Sequence, residues 1–398
     1  MPQDLDLDRM LGWLEDHTNA ETGGKLRSPS LERMAPLVEL LGSPQRDYPI
    51  VHVTGTNGKT TTARMAARLL GAAGLAVGCY TSPHLERVHE RISWAGEPIS
   101  GAALAEVLDL VAAAEPALSE HPSYFEVVTA AAYRWFADLA VDAAVVEVGM
   151  GGTWDATNVA DGTVAVVTNV SIDHTEYLGP TRASIAAEKA GIVKEGATLV
   201  LGETDPELAA VFTERGPSRV LRRGDDFDTG RNRRAHGGRV VDLHTPWSDH
   251  PEVFLPLHGE FQADNVVTAL VAAEAFFDHA LGPDVVAETA AGFRSPGRME
   301  VVGRAPLILL DGAHNAAGAQ ALMATLEDEF APGPRTLVVG LLREKDPEVM
   351  LSALEAVRAE QVVLCRPDSP RALDPADLAA AAERLGIPGD RLEVAGRV

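Results

Sequence analysis

Val51-His52-Val53-Thr54-Gly55-Thr56-Asn57-Gly58-Lys59-Thr60-Thr61 passes from an apolar strand through a glycine-bearing turn straight into a helix. Backbone N–H groups can converge on phosphate oxygens where Gly58 lets the chain turn, and the helix N-terminus adds its partial positive charge. Lys59 then reaches the β- and γ-phosphates, and the Thr60 hydroxyl can meet Mg²⁺. The spacing departs from G-x-x-x-x-G-K-[ST], because Gly55 lies only three residues before Gly58. A plain turn is the alternative, and GKTT at a strand-to-helix junction argues against it. His52 reads as a core strand residue.

Outward from this loop the chain alternates between strands and helices. Strands are expected over 50–53, 75–80, 143–148, 164–167 and 197–201, and helices over 59–73, 101–115, 123–139, 181–194 and 205–215. The strands are near-continuous apolar runs, as in a parallel sheet covered on both faces. Upstream, helices are expected over 5–17 and, capped by Ser30, to about Gly42. Residues 218–258 read as a β-rich excursion, followed by helices 262–281 and 284–293. Ser295-Pro296-Gly297-Arg298 looks like a linker. A second alternating unit follows, with strands 307–311, 336–341 and 361–364 and helices 316–330, 347–358 and 375–385.

The 398 residues suffice for two domains, and 46% hydrophobic with 23% charged residues fits a globular protein. No apolar run is long enough to span a membrane. The start, MPQDLDLDRM, lacks a signal peptide's basic and apolar regions. The two cysteines, Cys79 and Cys365, lie far apart in expected core strands, so a reducing cytoplasm is the expected setting. A net charge of −24 argues against nucleic acid. Any anionic substrate then depends on local cations and metal.

Three strand ends carry further candidates. Glu147 is the single acid of an apolar strand, before Gly149-Met150-Gly151-Gly152, and its burial is costly unless it is paired or metal-bound. Open α/β sheets gather ligands at the carboxyl ends of their strands, where Glu147 and the phosphate loop both fall. Strand 75–80 runs into Thr81-Ser82-Pro83-His84, and strand 164–168 into Asn169-Val170-Ser171-Ile172-Asp173-His174. Oxygen donors suit Mg²⁺, so Ser82 and Glu147 fit well and His174 less well. Alone, Glu147 could equally belong to a structural ion pair and His174 to the surface. Lys189, judged by helical spacing, reads as a solvated lysine.

The motifs together resemble the folylpolyglutamate synthase/dihydrofolate synthase branch of the Mur ligase superfamily. They are TGTNGKTTT (54–62), YTSPHL (80–85), ERIS (90–93), YFEVVTA (124–130) and EVGMGGTWDATN (147–158), then SIDHTEYLG (171–179), AAEKAGIVK (186–194), PGRMEVV (296–302), LDGAHN (310–315) and GLLREKD (340–346), in family order. The resemblance implies an α/β chain with an N-terminal P-loop parallel-sheet ATPase domain over 1–296 and a smaller Rossmann-like α/β domain over 297–398. It implies ATP contacts from Asn57, Gly58, Lys59, Thr60, Asn265, Arg298, Asp311 and His314. Mg²⁺, one ion or two, would be held by Ser82, Glu147, His174 and Lys189, the last as a carbamate. Lys59, Glu147, His174 and Lys189 are the implied catalytic set. Pteroate contacts would come from Ser28, Pro29 and Ser30, from Ser123, Tyr124, Phe125 and Glu126, and from Trp154, Asp155 and Ala156. The implied activity joins L-glutamate to dihydropteroate, to a folate tail, or to both, through an acyl phosphate, in a cytoplasmic monomer.

Three departures from the family pattern stand out. Thr153 replaces the arginine of a GGR-[LW]-DATN motif, and Phe261 stands where a histidine often precedes Gln262. The family's last helix and closing strand are not recognisable, so the second domain is expected to be short. Rival readings are a cell-wall peptide ligase, a P-loop switch or transport ATPase, and a silent binding protein. About 50 residues precede Thr54, too few for the nucleotide-sugar domain of the first rival. The second gives no reason for AAEKAG or LDGAHN.

Overall fold

The computed structural model describes residues 2–23 and 30–397. They divide into two compact units: Met1–Asn19, Lys25–Pro256 and Gln262–Arg294 form the first, and Ala20–Gly24, Leu257–Phe261 and Ser295–Val398 the second.

The first unit is built on an eight-stranded sheet of β1 (Ile50–Thr54), β2 (Val77–Tyr80), β3 (Ile92–Trp94), β4 (Glu97–Pro98), β5 (Ala143–Glu147), β6 (Val164–Val167), β7 (Thr198–Leu201) and β8 (Arg219–Arg222). Their order is β4-β3-β2-β5-β1-β6-β7-β8. β3 and β4 pair antiparallel at one edge and the rest are parallel. The register sets Val53 beside Glu147, Tyr80 beside Val146 and Thr54 beside Val167, so the ends of β2, β5, β1 and β6 form one row.

Both faces of the sheet are covered, as the apolar runs required. Ile50, Ala144 and Val146 join a core with α1 (Pro2–Glu15), α2 (Met34–Leu40), α4 (Gly101–Ala114) and α5 (Tyr124–Asp138). The alternate residues Val51, Val53 and Val145 point the other way and are equally buried. There α3 (Lys59–Ala72) packs on β1, β2 and β5. A second core joins Ala165, Val167, Leu199 and Leu201 to the helices that follow them, α6 (Thr175–Leu178), α7 (Arg182–Lys189) and α8 (Pro206–Thr213). His52, inside β1, is fully buried; burial pushes it down to about 3, so it is neutral, bonded to Thr157 Oγ1 at 2.8 Å.

The β-rich excursion forms an antiparallel sheet of β9 (Asp228–Ala235), β10 (Gly238–His244) and β11 (Asp249–Leu255). α9 (Phe261–Phe277) and α10 (Pro283–Ala291) follow. The second unit holds β12 (Glu300–Arg304) and β13 (Leu307–Leu310), then α11 (Ala316–Glu329), β14 (Thr336–Val339), α12 (Pro347–Ala353), β15 (Gln361–Arg366), α13 (Pro375–Arg384) and β16 (Leu392–Arg397). β14, β15 and β16 form a parallel sheet in that order.

Several expectations need correction. Strand 307–311 was expected to open the second parallel unit, yet β13 pairs antiparallel with β12, which was not foreseen. Only Ala305 and Pro306 separate the two, and so short a connection permits only an antiparallel partner. β16 was also not expected. Ser30 does not cap α2, which starts at Met34; its hydroxyl accepts from Glu32 N at 3.4 Å instead. Helix 181–194 stops at Lys189 and tightens into a 3₁₀ turn over Ala190–Ile192. Cys79 and Cys365 are both buried and free. Among the described residues no helix is long and apolar enough to cross a membrane.

Candidate active site

β1 ends at Thr54 and the chain turns through Gly55–Gly58 into α3. Gly58 occupies the position before the helix with φ +83°, and no side chain caps α3. Such a helix end attracts anions. A side chain at Gly58 is barred twice, by this left-handed backbone and by Asn265, whose amide would meet a Cβ there. Asn265, in the first turns of α9, is thereby placed against the phosphate loop, with its Nδ2 donating to Gln262 Oε1 at 3.0 Å.

The neighbouring strand β6 braces the loop. Asn169 Oδ1 accepts from Asn57 N at 3.1 Å, its Nδ2 donates to Asn57 O at 3.0 Å, and Thr168 Oγ1 donates to the same carbonyl at 2.6 Å. Thr56 exchanges hydrogen bonds with Ser171, its hydroxyl donating to Ser171 O at 3.1 Å and accepting from Ser171 N at 3.0 Å.

Glu147, 1% exposed at the end of β5, receives the Thr60 hydroxyl at 2.8 Å on one oxygen and Ser82 N at 3.1 Å on the other. A carboxylate, the Thr60 hydroxyl and Ser82, from three elements, thus meet beside the phosphate loop. The carboxylate and the Thr60 hydroxyl are oxygen donors of the kind that suits Mg²⁺, and Ser82 is held beside them through its backbone N–H. Two lysines converge on the loop from other directions. Lys59 Nζ donates to Gly55 O at 3.1 Å and to Thr56 O at 3.2 Å, and Lys189 Nζ donates to Gly55 O at 2.8 Å. Lys189 is 4% exposed. Burial first, and then the neighbouring Lys59 charge, push it down to about 7. The solvated lysine suggested by helical spacing is therefore a buried group held on the phosphate loop.

His174 lies on the same segment as Asn169, immediately before α6, with left-handed backbone at φ 50°. Its Nε2 is 3.8 Å from Asp173 Oδ2. The side chain is 37% exposed.

The expected acceptor segments lie beside one another. Phe125 packs so closely on Gly149 that a Cβ there would fall 2.6 Å from its ring, which puts the start of α5 against the loop leading to Trp154–Ala156. Within these segments several residues are engaged in holding the fold. Ser123 and Glu126 cap α5 reciprocally, and Glu126 also pairs with Arg33 at 3.2 Å. Asp155 accepts from Met150 N at 2.9 Å and Thr157 N at 3.0 Å, while burial raises its carboxyl above the usual range. Trp154 N donates to Glu188 Oε1 at 3.3 Å, and its side chain packs against the core that holds Leu178 and Ile185. Ser28 and Pro29 lie outside the described residues.

The second unit assembles its own polar corner. Asp311 accepts from Met299 N and Ala313 N, both at 2.8 Å, and burial raises its carboxyl above the usual range. The Arg298 guanidinium lies against Gly312, where a Cβ would have to displace it. His314 Nδ1 bonds to Gly312 O at 2.9 Å.

Two family models match the chain. One described as Mur ligase middle domain matches residues 53–273, and one described as Mur ligase, glutamate ligase domain matches 297–397. The chain belongs to the Mur ligase family. The dihydrofolate synthase/folylpolyglutamate synthase of Mycobacterium tuberculosis is 44% identical over 387 residues, 90% of this chain and 78% of its own length. The solved structure of Mycobacterium tuberculosis folylpolyglutamate synthase complexed with ADP superposes with a TM-score of 0.91 at 42% identity, covering 99% of this chain and 89% of that one. Escherichia coli FolC, solved with DHPP and ADP, gives a TM-score of 0.85 at 30% identity over 98% of this chain and 89% of that one. This Mur ligase is accordingly an ATP-dependent ligase.

Two loop-bracing residues of this Mur ligase escaped the sequence reading as functional: Thr168 and Asn169. Both stand where an apolar strand turns polar, and that signal was available. Knowing that they brace the phosphate loop required knowing that β6 lies next to β1.

Proposed function

We propose that this Mur ligase joins L-glutamate to a pteroate- or folate-type carboxylate with ATP, releasing ADP and phosphate. The observation that supports it most is the meeting of Thr60, Ser82 and Glu147 beside a phosphate loop on which Lys59 and Lys189 converge. The names of the Mycobacterium relative and the DHPP and ADP of the Escherichia coli structure support the choice of acceptor.

Residues Asn57–Thr60 and the N-terminus of α3 bind the phosphates of ATP, and Lys59 offsets charge on the transferring group. Thr60, Ser82, Glu147 and His174 would hold Mg²⁺, which supplies charge neutralisation at the phosphates when bound. The acceptor carboxylate attacks the γ-phosphorus, ADP leaves, and an acyl phosphate results. The glutamate amine then attacks the acyl carbon, phosphate departs, and the amine proton is lost. Protein groups contribute alignment and preorganised charge, and they exclude the water that would hydrolyse the acyl phosphate.

Lys189 serves in this reading as a carbamate. Uncharged Lys189 can add CO₂ and lose a proton, which converts a cation into an oxygen donor beside Gly55. Asn265, against the phosphate loop, is a further nucleotide contact in this reading.

The clearest test uses an acceptor whose carboxylate oxygens carry ¹⁸O. One labelled oxygen should appear in the released phosphate, and mass spectrometry should show a product longer by one glutamyl residue. Unlabelled phosphate with an unaltered acceptor contradicts the proposal. Running dihydropteroate and a reduced folate in parallel decides which acceptor is used; the pairing of the Phe125 and Trp154 segments favours both.

A further inference from the structure

Arg182 and Glu203 lie outside the groups assigned above, yet they grip the segment that braces the phosphate loop. Glu203, just beyond β7, has a side chain only 7% exposed. Its Oε2 accepts from Val170 N at 2.7 Å. Its Oε1 accepts from Arg182 Nη2 at 3.2 Å and from Asp205 N at 3.0 Å. Arg182 in turn donates from Nε to Val170 O at 2.9 Å and from Nη1 to Asp205 Oδ2 at 2.9 Å. Both polar groups of one residue, Val170, are therefore held by the two members of an ion pair.

Two groups depend on that grip. Asn169, one residue before Val170, makes both amide bonds to Asn57, and His174 lies four residues beyond Val170. Arg182 is also the first residue of α7, whose last, Lys189, donates to Gly55 O. One rigid fork thus ties the 169–174 segment and α7 to a common point. A buried carboxylate costs stability unless paired, and backbone groups alone could have satisfied Val170. Both points favour a placing role over simple packing.

We propose that Arg182 and Glu203 are positioning residues that set the 169–174 segment and α7 against the phosphate loop and so govern affinity for Mg²⁺-bound nucleotide. The proposal rests on the ligase reading only for the identity of that nucleotide. Arg182→Lys keeps the charge but cannot hold Val170 O, Glu203 and Asp205 together, and the side chain is 42% exposed, so folding should tolerate it. Glu203→Gln removes the charge at similar volume. Arg219→Lys, changing a pair with Asp278 remote from the loop, serves as the control.

The experiment is calorimetric titration of each full-length variant with AMPPCP at several Mg²⁺ concentrations, alongside melting temperatures and steady-state rates. Arg182→Lys should weaken Mg²⁺-dependent AMPPCP binding by about 10-fold to 100-fold, as supporting-shell changes do. The KM for glutamate should change by less than about twofold, and the control should bind like wild type. Wild-type affinity in Arg182→Lys, or a lowered melting temperature with unchanged affinity, overturns the proposal. If Glu203→Gln does not fold, Arg182→Lys decides alone. Should wild type bind AMPPCP yet never release ADP with glutamate, the ligase reading falls, and the affinity comparison still decides the positioning role.

Discussion

Lys189 offers the sharpest quantitative prediction. An ordinary lysine, at 10.5, is about 0.03% uncharged at pH 7, whereas a group at about 7 is roughly half uncharged, an enrichment of about a thousandfold. Only the uncharged amine attacks CO₂, so carbamate formation should be concentrated on this one lysine. The perturbation is Lys189→Arg, which keeps the charge and removes the nucleophile. Nucleotide-free wild type and variant are equilibrated with ¹³C-bicarbonate at pH 8, and carbamate carbon is read by NMR. Wild type should show a carbamate resonance that the variant lacks, and it should weaken on lowering the pH to 6 as the amine protonates. Equal signals in the two proteins, or none in wild type at pH 8, refute the argument that burial and Lys59 prepare this amine.

Three further outcomes follow from the same geometry. The folded-state value for Lys189 lies below the unfolded one, so the unfolded chain binds more protons between pH 7 and 10.5; the buried ammonium costs up to about 5 kcal/mol below pH 7, relieved as the pH rises. Lys189→Met should therefore gain stability over wild type in urea unfolding at pH 6 and lose that advantage by pH 10, even after forfeiting about 1.5–3 kcal/mol from the Gly55 bond; an advantage that grows with pH contradicts this. Glu147→Gln removes the buried charge but keeps the shape, so the protein should stay folded while turnover falls by about a hundredfold or more and its Mg²⁺ requirement rises; normal rates at limiting Mg²⁺ contradict the assignment. Gly58→Ala forces a side chain into left-handed backbone and against Asn265, which should cost about 1–2 kcal/mol and depress nucleotide affinity in a fluorescent-analogue titration; wild-type affinity contradicts it.

Local chemistry made the phosphate loop legible. VHVTGTNGKTT announces strand, turn and helix within a few residues, and Glu147 interrupts a run too apolar to tolerate it without a purpose. Apolar runs spaced by helices likewise announced a parallel sheet. Whatever depended on strand order remained hidden. Lys189 reads as exposed from its own helix, because only the loop after β1 supplies its acceptor, Gly55 O. Asn169 and Glu203 are ordinary polar strand-end residues until β6 is known to lie between β1 and β7. The β12–β13 hairpin was missed because Leu307–Leu310 is apolar enough to suggest a buried parallel strand, whereas most of it is exposed. Ser30 resembled a helix cap, but the helix begins at Met34 and the hydroxyl is used one turn earlier.

Glutamate-dependent ADP formation tests the central claim most directly. With ATP, Mg²⁺ and dihydropteroate or a reduced folate present, wild type should form no more than one ADP per enzyme until L-glutamate is added, and thereafter one ADP for each glutamyl residue incorporated. ADP release that proceeds equally without glutamate, or without the acceptor, contradicts the account.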